Sequence, residues 1–278
     1  MKKYLEALFN PRMLIIFLMG FSSGLPLALT GGTLKLWMRE DGVDLATIGF
    51  FSAVALPTSL KFLWAPFLDR YTPPLGRRRG WIVIAQFCLA ASLIAISFVK
   101  PTEQKSLLAV LAFLISFFAC TQDIGLDAFR REFLSSEEFG FGTSLFITSY
   151  RLAMLVASSG ALFLAAAFSW QTSYQIMAAL VSIGFIATMF AKEPVVEAQP
   201  PRTLFNAFVE PLREYFSRKG AFWIAGFVLL YKLGDAVALS MTMPFYEDMG
   251  YTKVEIGSVV KVSGIWATIW AVSSAALS

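Results

Sequence analysis

The sequence predicts an all-α polytopic membrane protein with about eight transmembrane helices. Long apolar stretches alternate with short charged clusters, and crossing a bilayer as a helix takes roughly 20 apolar residues. Of the 278 residues, 57% are hydrophobic and only 15% are charged, whereas a soluble domain carries about 25% charged residues. The apolar residues occupy consecutive positions instead of alternate ones, which indicates spanning helices and not a β-barrel.

The apolar stretches predict eight helices with one long polar interruption. The predicted helices cover residues 12–35, 46–68, 80–99, 106–129, 142–167, 171–191, 221–244 and 254–277. The interruption, residues 192–220, contains four prolines and is predicted to be a cytoplasmic linker with a short amphipathic helix near Leu204–Phe216. The predicted organisation is therefore an N-terminal six-helix half (1–191), the linker, and the first two helices of an incomplete C-terminal half (221–278).

The placement of lysine and arginine predicts the orientation. With the N-terminus in the cytoplasm, fourteen of the 23 basic residues fall in cytoplasmic segments, five in outer loops and four inside helices. This excess predicts a membrane protein with a cytoplasmic N-terminus. The basic residues lie in loops between helices, so no nucleic-acid partner is expected.

The residue inventory excludes several kinds of chemistry. Histidine is absent, which removes the commonest metal ligand and the usual proton shuttle, so proton chemistry would need carboxylates. Both cysteines, Cys88 and Cys120, lie inside apolar runs and are expected to be buried without a disulfide. No metal site, nucleotide loop or catalytic constellation is found, and the protein is not expected to be an enzyme.

Two stretches in the predicted outer loops are similar to each other. Residues 36–49 read LWMREDGVDLATIG, and residues 244–257 read PFYEDMGYTKVEIG. At an offset of 208 positions, the matched pairs are Trp37 with Phe245, Glu40 with Asp248, Gly42 with Gly250, Ile48 with Ile256 and Gly49 with Gly257. Both stretches follow the first helix of their half, and two parallel repeats of six helices are the plan of major facilitator transporters. On that plan, the chain holds one full repeat and two helices of another.

The loop between helices two and three carries a second signal. Residues 69–81 read DRYTPPLGRRRGW and resemble the major facilitator loop signature, an Asp-Arg pair followed by glycine and a basic run. Asp69 stands at a helix end, where it can pair with a nearby arginine. The candidate gating residues are Asp69, Arg70, Arg77, Arg78 and Arg79. The alternative is that the basic run serves only as a cytoplasmic anchor.

Charged residues inside the helices predict a polar cavity. A charge at the centre of a spanning helix costs about 2.5–3.5 kcal/mol on insertion scales and usually marks a pathway or a buried pair. Lys61, Asp123 and Arg151 all lie roughly 12–14 Å from the cytoplasmic ends of their helices at about 1.5 Å per residue. Helices two, four and five are therefore predicted to line a common cavity, which Gln122 and Asp127 extend.

The cavity residues divide into proton-coupling and substrate candidates. Asp123 and Asp127 are four residues apart on one helix face and are the proton-coupling candidates, although Asp127 can instead form an ion pair with an arginine at the helix end. Lys232 and Asp235 on helix seven pair locally or face the same cavity from the second half. The substrate-cavity candidates are Lys61, Gln122, Arg151, Lys232 and Asp235.

Three stretches resemble the AmpG muropeptide permeases of Gram-negative bacteria. They are GFSSGLPLALTGGTLKLWMRE (Gly20–Glu40), VDLATIGFFSAVALPTSLKFLWAPFLDR (Val43–Arg70) and TQDIGLDAFRRE (Thr121–Glu132). The resemblance implies import of N-acetylglucosaminyl-1,6-anhydro-N-acetylmuramic acid and its peptides by proton symport, for cell-wall recycling and indirect control of β-lactamase induction. It implies a small glycopeptide substrate, a lipid bilayer environment, a monomer when full length, and no cofactor besides the proton gradient. Asp123 would take the proton, with Gln122, Lys61 and Arg151 near the substrate.

Two alternatives stay open at this stage. A basic cavity suits any anionic solute, including acyl-CoA compounds, which related transporters carry. The AmpG family has a complete second half, so a non-transporting truncated fragment is the other alternative.

Overall fold

The described part of the chain is entirely helical. The computed structural model describes the backbone at residues 10–194 and 204–248, and the side chains of these ranges except 204–208, 211–212 and 235–248. No strand occurs in these ranges. The chain divides into two compact units, Met1–Pro200 and Pro201–Ser278.

Six helical segments within the described residues are long and apolar enough to cross a membrane, and we call them spans 1 to 6. They are Pro11–Glu40, Leu45–Leu63, Arg79–Ser97, Lys105–Phe133, Phe139–Ala167 and Trp170–Phe190. The prediction of an all-α polytopic protein, and of its first six helices, is confirmed, with ends that differ from the predicted ones by a few residues.

Spans 1 and 2 are less regular than predicted. Span 1 consists of the helices Pro11–Thr30 and Gly32–Glu40, which meet at Gly31. Span 2 was predicted as one helix over 46–68, which is wrong in detail. It and the residues after it form five short helical segments: Leu45–Phe50, the 3₁₀ turn Phe51–Ala55, Leu56–Leu60, the 3₁₀ turn Lys61–Leu63, and Ala65–Arg70. Pro57 and Pro66 account for the interruptions because proline lacks the N–H that an α-helix needs.

Spans 4 and 5 also differ from simple α-helices of the predicted length. Span 4 is one helix that continues to Phe133, so that the basic residues at its end remain helical. Span 5 contains a π-helical turn at Val156–Gly160 between the α-helices Phe139–Leu155 and Ala161–Ala167. Span 6 begins after Ser169, whose hydroxyl accepts the backbone N–H of Thr172, a typical N-cap.

The second unit begins with the predicted amphipathic helix. This linker helix covers Leu204–Ser217, and a second helix covers Ala221–Asp248. Helix seven was predicted at 221–244 and is therefore confirmed as a helix; its apolar described part is Ala221–Gly234. Helix eight, predicted at 254–277, lies outside the described residues.

Span 1 is the centre of the first unit. It packs against spans 4, 5 and 6, span 3 packs between spans 4 and 6, and span 2 packs on span 4. Two apolar cores lie along this bundle. The first includes Leu25, Leu89, Ile115, Ala153 and Val181. The second includes Met19, Ile82, Leu126, Phe146 and Ala187.

The contact between spans 1 and 5 depends on a glycine. A Cβ atom on Gly24 would overlap the backbone carbonyl oxygen of Tyr150 and lie 2.9 Å from Cβ of Ala153. Because a helix backbone cannot move away as a flexible side chain can, Gly24→Ala is expected to lower the free energy of unfolding by about 1–3 kcal/mol. The measurement is the thermal unfolding midpoint of the purified protein in detergent.

The matched control is Gly140→Ala in span 5. Nothing lies within 4 Å of a Cβ at this helical position, and alanine favours the helix by up to about 1 kcal/mol over glycine. We expect an unchanged or higher midpoint for the control. Equal midpoints for the two variants would contradict the close packing of spans 1 and 5.

Candidate functional site

A layer of polar residues separates the two apolar cores. In each of spans 1, 3, 4 and 5, polar side chains stand between the residues that belong to one core and those that belong to the other. We define the polar layer as Ser22, Ser23, Gln86, Thr121, Gln122, Asp123 and Ser149. Polar groups at mid-depth in a helical membrane bundle are costly and usually serve a substrate or ion pathway, and transporters bind their substrates at this depth.

Asp123 is the charged member of the polar layer. Its carboxylate is half-buried on span 4 and accepts a hydrogen bond from the hydroxyl of Ser23 on span 1. Lys61 and Asp127 act on it electrostatically, and it acts in turn on Tyr150 of span 5. Lys61 and Asp123 therefore interact between spans 2 and 4, and a common cavity that also includes Arg151 stays a prediction.

The turn that carries Lys61 is held against the polar layer. Lys61 begins the 3₁₀ turn Lys61–Leu63, and its side chain is half-buried. The indole N–H of Trp64 donates to the hydroxyl of Thr121 across 3.2 Å. This bond ties span 2 to span 4 next to Gln122 and keeps the ammonium group of Lys61 near the carboxylate of Asp123.

Two buried glutamines have unused hydrogen-bonding capacity. Gln122 is fully buried, and neither its amide oxygen nor its amide nitrogen has a hydrogen-bond partner among the described residues. Gln86 on span 3 accepts from the Thr188 hydroxyl at 3.1 Å, while its amide nitrogen has no partner among those same residues. An unpaired buried amide costs about 1–3 kcal/mol, and such groups call for a specific explanation, for example a ligand.

Gln86 was missed in the sequence. It is a single polar residue in the apolar stretch IVIAQFCLA, and an uncharged residue in a helix gives only a weak signal. Its position depends on Gly184 of span 6, because a Cβ there would lie 2.9 Å from the amide nitrogen of Gln86. The one feature of the sequence that could have identified Gln86 is its isolated amide within an apolar stretch.

The remaining candidates lie around or away from the polar layer. Arg151 follows Tyr150 on span 5 and is exposed. Asp127 is exposed and forms an ion pair with Arg130 at 3.1 Å. This is the ion pair at the helix end that the sequence offered as the alternative to proton coupling. Lys232 is exposed on the helix Ala221–Asp248 of the second unit. The side chain of Asp235 lies outside the described residues.

A second cluster of charged residues lies at the end of the six-helix bundle that carries Asp69, Arg78 and Glu132. We call this end the charged end. The guanidinium group of Arg78 lies 2.6 Å from the carboxylate of Asp69 and 2.7 Å from that of Glu132. Only 9% of the Arg78 side chain is exposed. Burial acts to lower the pKa of Arg78, but the hydrogen bonds and charges of Glu132 and Asp69 outweigh it and raise that pKa. Arg78 therefore stays charged and links the ends of spans 2, 3 and 4.

The other gating candidates lie around the ion triad formed by Asp69, Arg78 and Glu132. Arg77 lies 3.8 Å from Asp69, and the guanidinium carbon of Arg70 lies 5.7 Å from the ring centre of Tyr71. Arg79 donates to the backbone carbonyl oxygens of Thr188 and Met189 at the end of span 6. Arg77 and Arg78 therefore share Asp69, whereas Arg79 contacts span 6 instead, a division that a basic run alone does not predict.

Glu193 holds the start of span 3 and was not identified in the sequence. Its carboxylate accepts the backbone N–H groups of Arg78 at 2.7 Å and Arg79 at 3.0 Å. An anion is favoured at this position because the first N–H groups of a helix lack intrahelical partners. Gly76 permits the approach, since its φ is +112° and a Cβ there would lie 2.6 Å from the carboxyl carbon of Glu193.

Glu138 joins spans 1 and 5 at the charged end. It accepts hydrogen bonds from the side chains of Asn10 at 3.2 Å and Arg12 at 3.3 Å, and from the backbone N–H of Ser135 at 3.2 Å. Although burial acts to raise the pKa of Glu138, the hydrogen bonds from Ser135 and the charge of Arg12 lower it. At this end Glu138 thus joins spans 1 and 5, and the contacts of Arg78, Arg79 and Glu193 join spans 2, 3, 4 and 6.

Comparison with known proteins identifies relatives along almost the whole chain. The Major Facilitator Superfamily model matches residues 16–278. The anhydromuropeptide permease of Escherichia coli (strain K12) is 45% identical over 270 residues, covering 96% of this chain and 55% of the permease. The putative transporter AmpG 1 of Rickettsia conorii is 33% identical over 280 residues, covering 94% of this chain and 67% of that protein. The chain therefore spans about half to two thirds of the length of these relatives.

Proposed function

This chain belongs to the major facilitator superfamily, among its AmpG-type members, and we propose that it serves proton-driven import of anhydromuropeptides. The observation that carries the proposal is the polar layer, in which Asp123, the unpaired amide of Gln122 and the unpaired amide nitrogen of Gln86 lie between two apolar cores. A transporter and not an enzyme fits this arrangement, because the layer offers binding groups and a single ionisable carboxylate.

The polar layer and two cations outside it supply the groups that a glycopeptide requires. Sugar hydroxyls and N-acetyl groups need neutral donors and acceptors, which the amides of Gln86 and Gln122 provide. Peptide carboxylates need cations, and Lys61 and Arg151 on spans 2 and 5 provide them. We assign the proton to Asp123 because its hydrogen bond with Ser23 and its proximity to Lys61 make its protonation sensitive to how the spans are arranged.

The charged end fits a gate. Alternating access requires one end of the transport path to be closed while the other is open. The Arg78 triad, the Glu193 carboxylate and the Glu138 contacts close spans 1 to 6 on each other at that end. The lysine and arginine distribution supports placing this end, with the N-terminus, in the cytoplasm of a bacterial inner membrane.

Uptake by cells tests this function. The complete gene product is expressed in cells that lack a muropeptide permease, and accumulation of a labelled anhydro-disaccharide peptide is followed with and without a protonophore. We expect accumulation that the protonophore abolishes. The proposal fails if the complete product accumulates none of the probe. Loss of the signal on adding an acyl-CoA would instead indicate a transporter of that other anion class.

A further inference from the structure

The linker helix Leu204–Ser217 has a sharply divided surface. At about 100° per residue, its large apolar residues fall within an arc of about 140°. They are Leu204, Phe205, Phe208, Val209, Leu212, Tyr215 and Phe216. The remaining surface carries the polar residues Asn206, Glu210, Arg213, Glu214 and Ser217. Such a division requires an apolar environment on one side and water on the other.

The charges are ordered around this helix. Arg213 lies about 40° beyond one edge of the apolar arc, and Arg218, in the turn that follows, lies about 40° beyond the other. Both acidic residues, Glu210 and Glu214, occupy the middle of the polar face. Arg213, Glu210 and Glu214 are exposed. Arg218 pairs with Glu214 at 2.6 Å, but the two side chains are 68% and 71% exposed, and so weak a surface pair can give way to a headgroup phosphate. Cations at both edges and acids facing away match an anionic surface on the apolar side, because long basic side chains reach back towards it.

The apolar face of the linker helix continues into the turn and the helix that follow. Gly220 has a φ of +82°, a left-handed conformation that glycine adopts readily, and Ala221 begins the next helix. The ring of Phe216 lies 4.9 Å from that of Phe222 across the turn. The first residues of the new helix include Trp223 at 86% exposure and Phe227 at 69%, as expected where a chain enters lipid. Aromatic residues beside such an entry point are typical of the headgroup level.

From these observations we propose that the linker helix lies in the membrane interface, with its apolar face in the lipid and Arg213 and Arg218 on anionic headgroups. It would act as a surface anchor at the entry of the helix Ala221–Asp248. The continuity of the aromatic cluster from Phe216 to Phe222 favours lipid over a second protein, because the same apolar surface runs directly into the exposed apolar start of the helix Ala221–Asp248. The proposal does not depend on the transported substrate.

The test measures on which side of the helix the lipid lies. Cys88 and Cys120 are replaced by alanine in the full 278-residue chain, and single cysteines are introduced as Leu212→Cys at the centre of the apolar arc or Glu210→Cys on the opposite face. Each variant is spin-labelled and reconstituted in vesicles that contain phosphatidylglycerol. Collisions of the label with oxygen, which concentrates in lipid, are compared with collisions with a water-soluble nickel complex.

We expect the ratio of oxygen to nickel accessibility to be at least about fivefold higher at position 212 than at position 210, because the apolar face of an interfacial helix lies in the headgroup and acyl boundary while its polar face stays in water. Arg213→Gln with Arg218→Gln should lower the ratio at position 212, and the same loss should follow in vesicles of phosphatidylcholine alone. Glu210→Gln is the control and should leave that ratio unchanged.

Three outcomes would overturn the proposal or its assignment of the arginines. Equal ratios at the two positions would mean that no lipid lies on the apolar face. Low accessibility to both reagents at position 212 would mean that protein covers it, either a second copy of the chain or another partner. A ratio that is high at position 212 but insensitive to lipid charge would overturn the assignment of Arg213 and Arg218 to anionic headgroups.

Discussion

Asp123→Asn in the complete gene product is expected to abolish accumulation of the anhydromuropeptide probe driven by a proton gradient. Asparagine keeps the size of the side chain and can still pair with the hydroxyl of Ser23, but it cannot take up or release a proton. Loss of a hydrogen bond to a charged group costs about 1.5–3 kcal/mol, which corresponds to a weakening of binding of roughly 10- to 100-fold if Asp123 were only a substrate contact.

Two assays separate coupling from binding. Cells that express Asp123→Asn are compared for net uptake with an imposed proton gradient and for exchange of internal unlabelled probe against external labelled probe. A coupling role predicts that net uptake is lost while exchange persists, because exchange needs no net proton movement. A binding role predicts that both fall together.

The control for Asp123 is Asp127→Asn, one helical turn away. Asp127 is 56% exposed and forms its ion pair with Arg130 at the helix end, so its neutralisation should change gradient-driven uptake little. Undiminished uptake by Asp123→Asn would contradict the assigned role. A loss in Asp127→Asn equal to that in Asp123→Asn would mean that both carboxylates carry the proton.

The sequence predicted the spans well because hydropathy and length are local properties. A run of apolar residues needs no knowledge of its neighbours, and spans 1 to 6 lie close to the predicted positions. The rise per helical residue converts position in the sequence into depth, and Lys61 and Asp123, predicted at one depth, interact electrostatically in the structure. The prediction was less accurate for span 2. It was predicted as one uninterrupted helix, but its prolines divide it, and 3₁₀ turns form at Phe51–Ala55 and Lys61–Leu63.

The partners of the buried charges were harder to predict. Glu132 and Glu193 approach Arg78 from 54 and 115 residues away, and nothing in a loop sequence specifies which distant carboxylate arrives. Glu193 also stands at the end of span 6, where a polar residue is expected as a boundary. Its role depends on Gly76, whose positive φ brings the two segments together. Only the packed bundle distinguishes a helix cap from a boundary residue.

The polar layer and the charged end are connected through spans 3, 4 and 6. The Thr188 hydroxyl donates a hydrogen bond to the amide oxygen of Gln86, and the backbone carbonyl oxygen of Thr188 accepts one from Arg79. Asp123 and Glu132 lie on one continuous helix. A change in the contacts of Arg79 or Glu132 at the charged end can therefore reach the polar layer through spans 3, 4 and 6, a connection that fits a gated transporter.

Arg78→Ala is expected to lower the free energy of unfolding of the protein by about 2–4 kcal/mol. Removing one partner of a buried ion pair typically costs about 3–5 kcal/mol, because the other charge remains without compensation. Here two carboxylates lose their cation, but the side chain of Asp69 is 42% exposed, and solvent reduces its share of the cost. The measurement is unfolding in a detergent of fixed composition, followed by circular dichroism with increasing temperature.

Arg78→Lys and Arg131→Ala complete the comparison. Lysine keeps the charge but cannot bridge Asp69 and Glu132 with a planar fork, so its midpoint should fall between those of the parent and Arg78→Ala. Arg131 is exposed on the same end of span 4, and its removal should change the midpoint little. If Arg78→Ala unfolds at the same temperature as Arg131→Ala, the triad does not hold spans 2, 3 and 4 together. A midpoint for Arg78→Lys equal to that of the parent would mean that charge alone, without the forked geometry, stabilises the charged end.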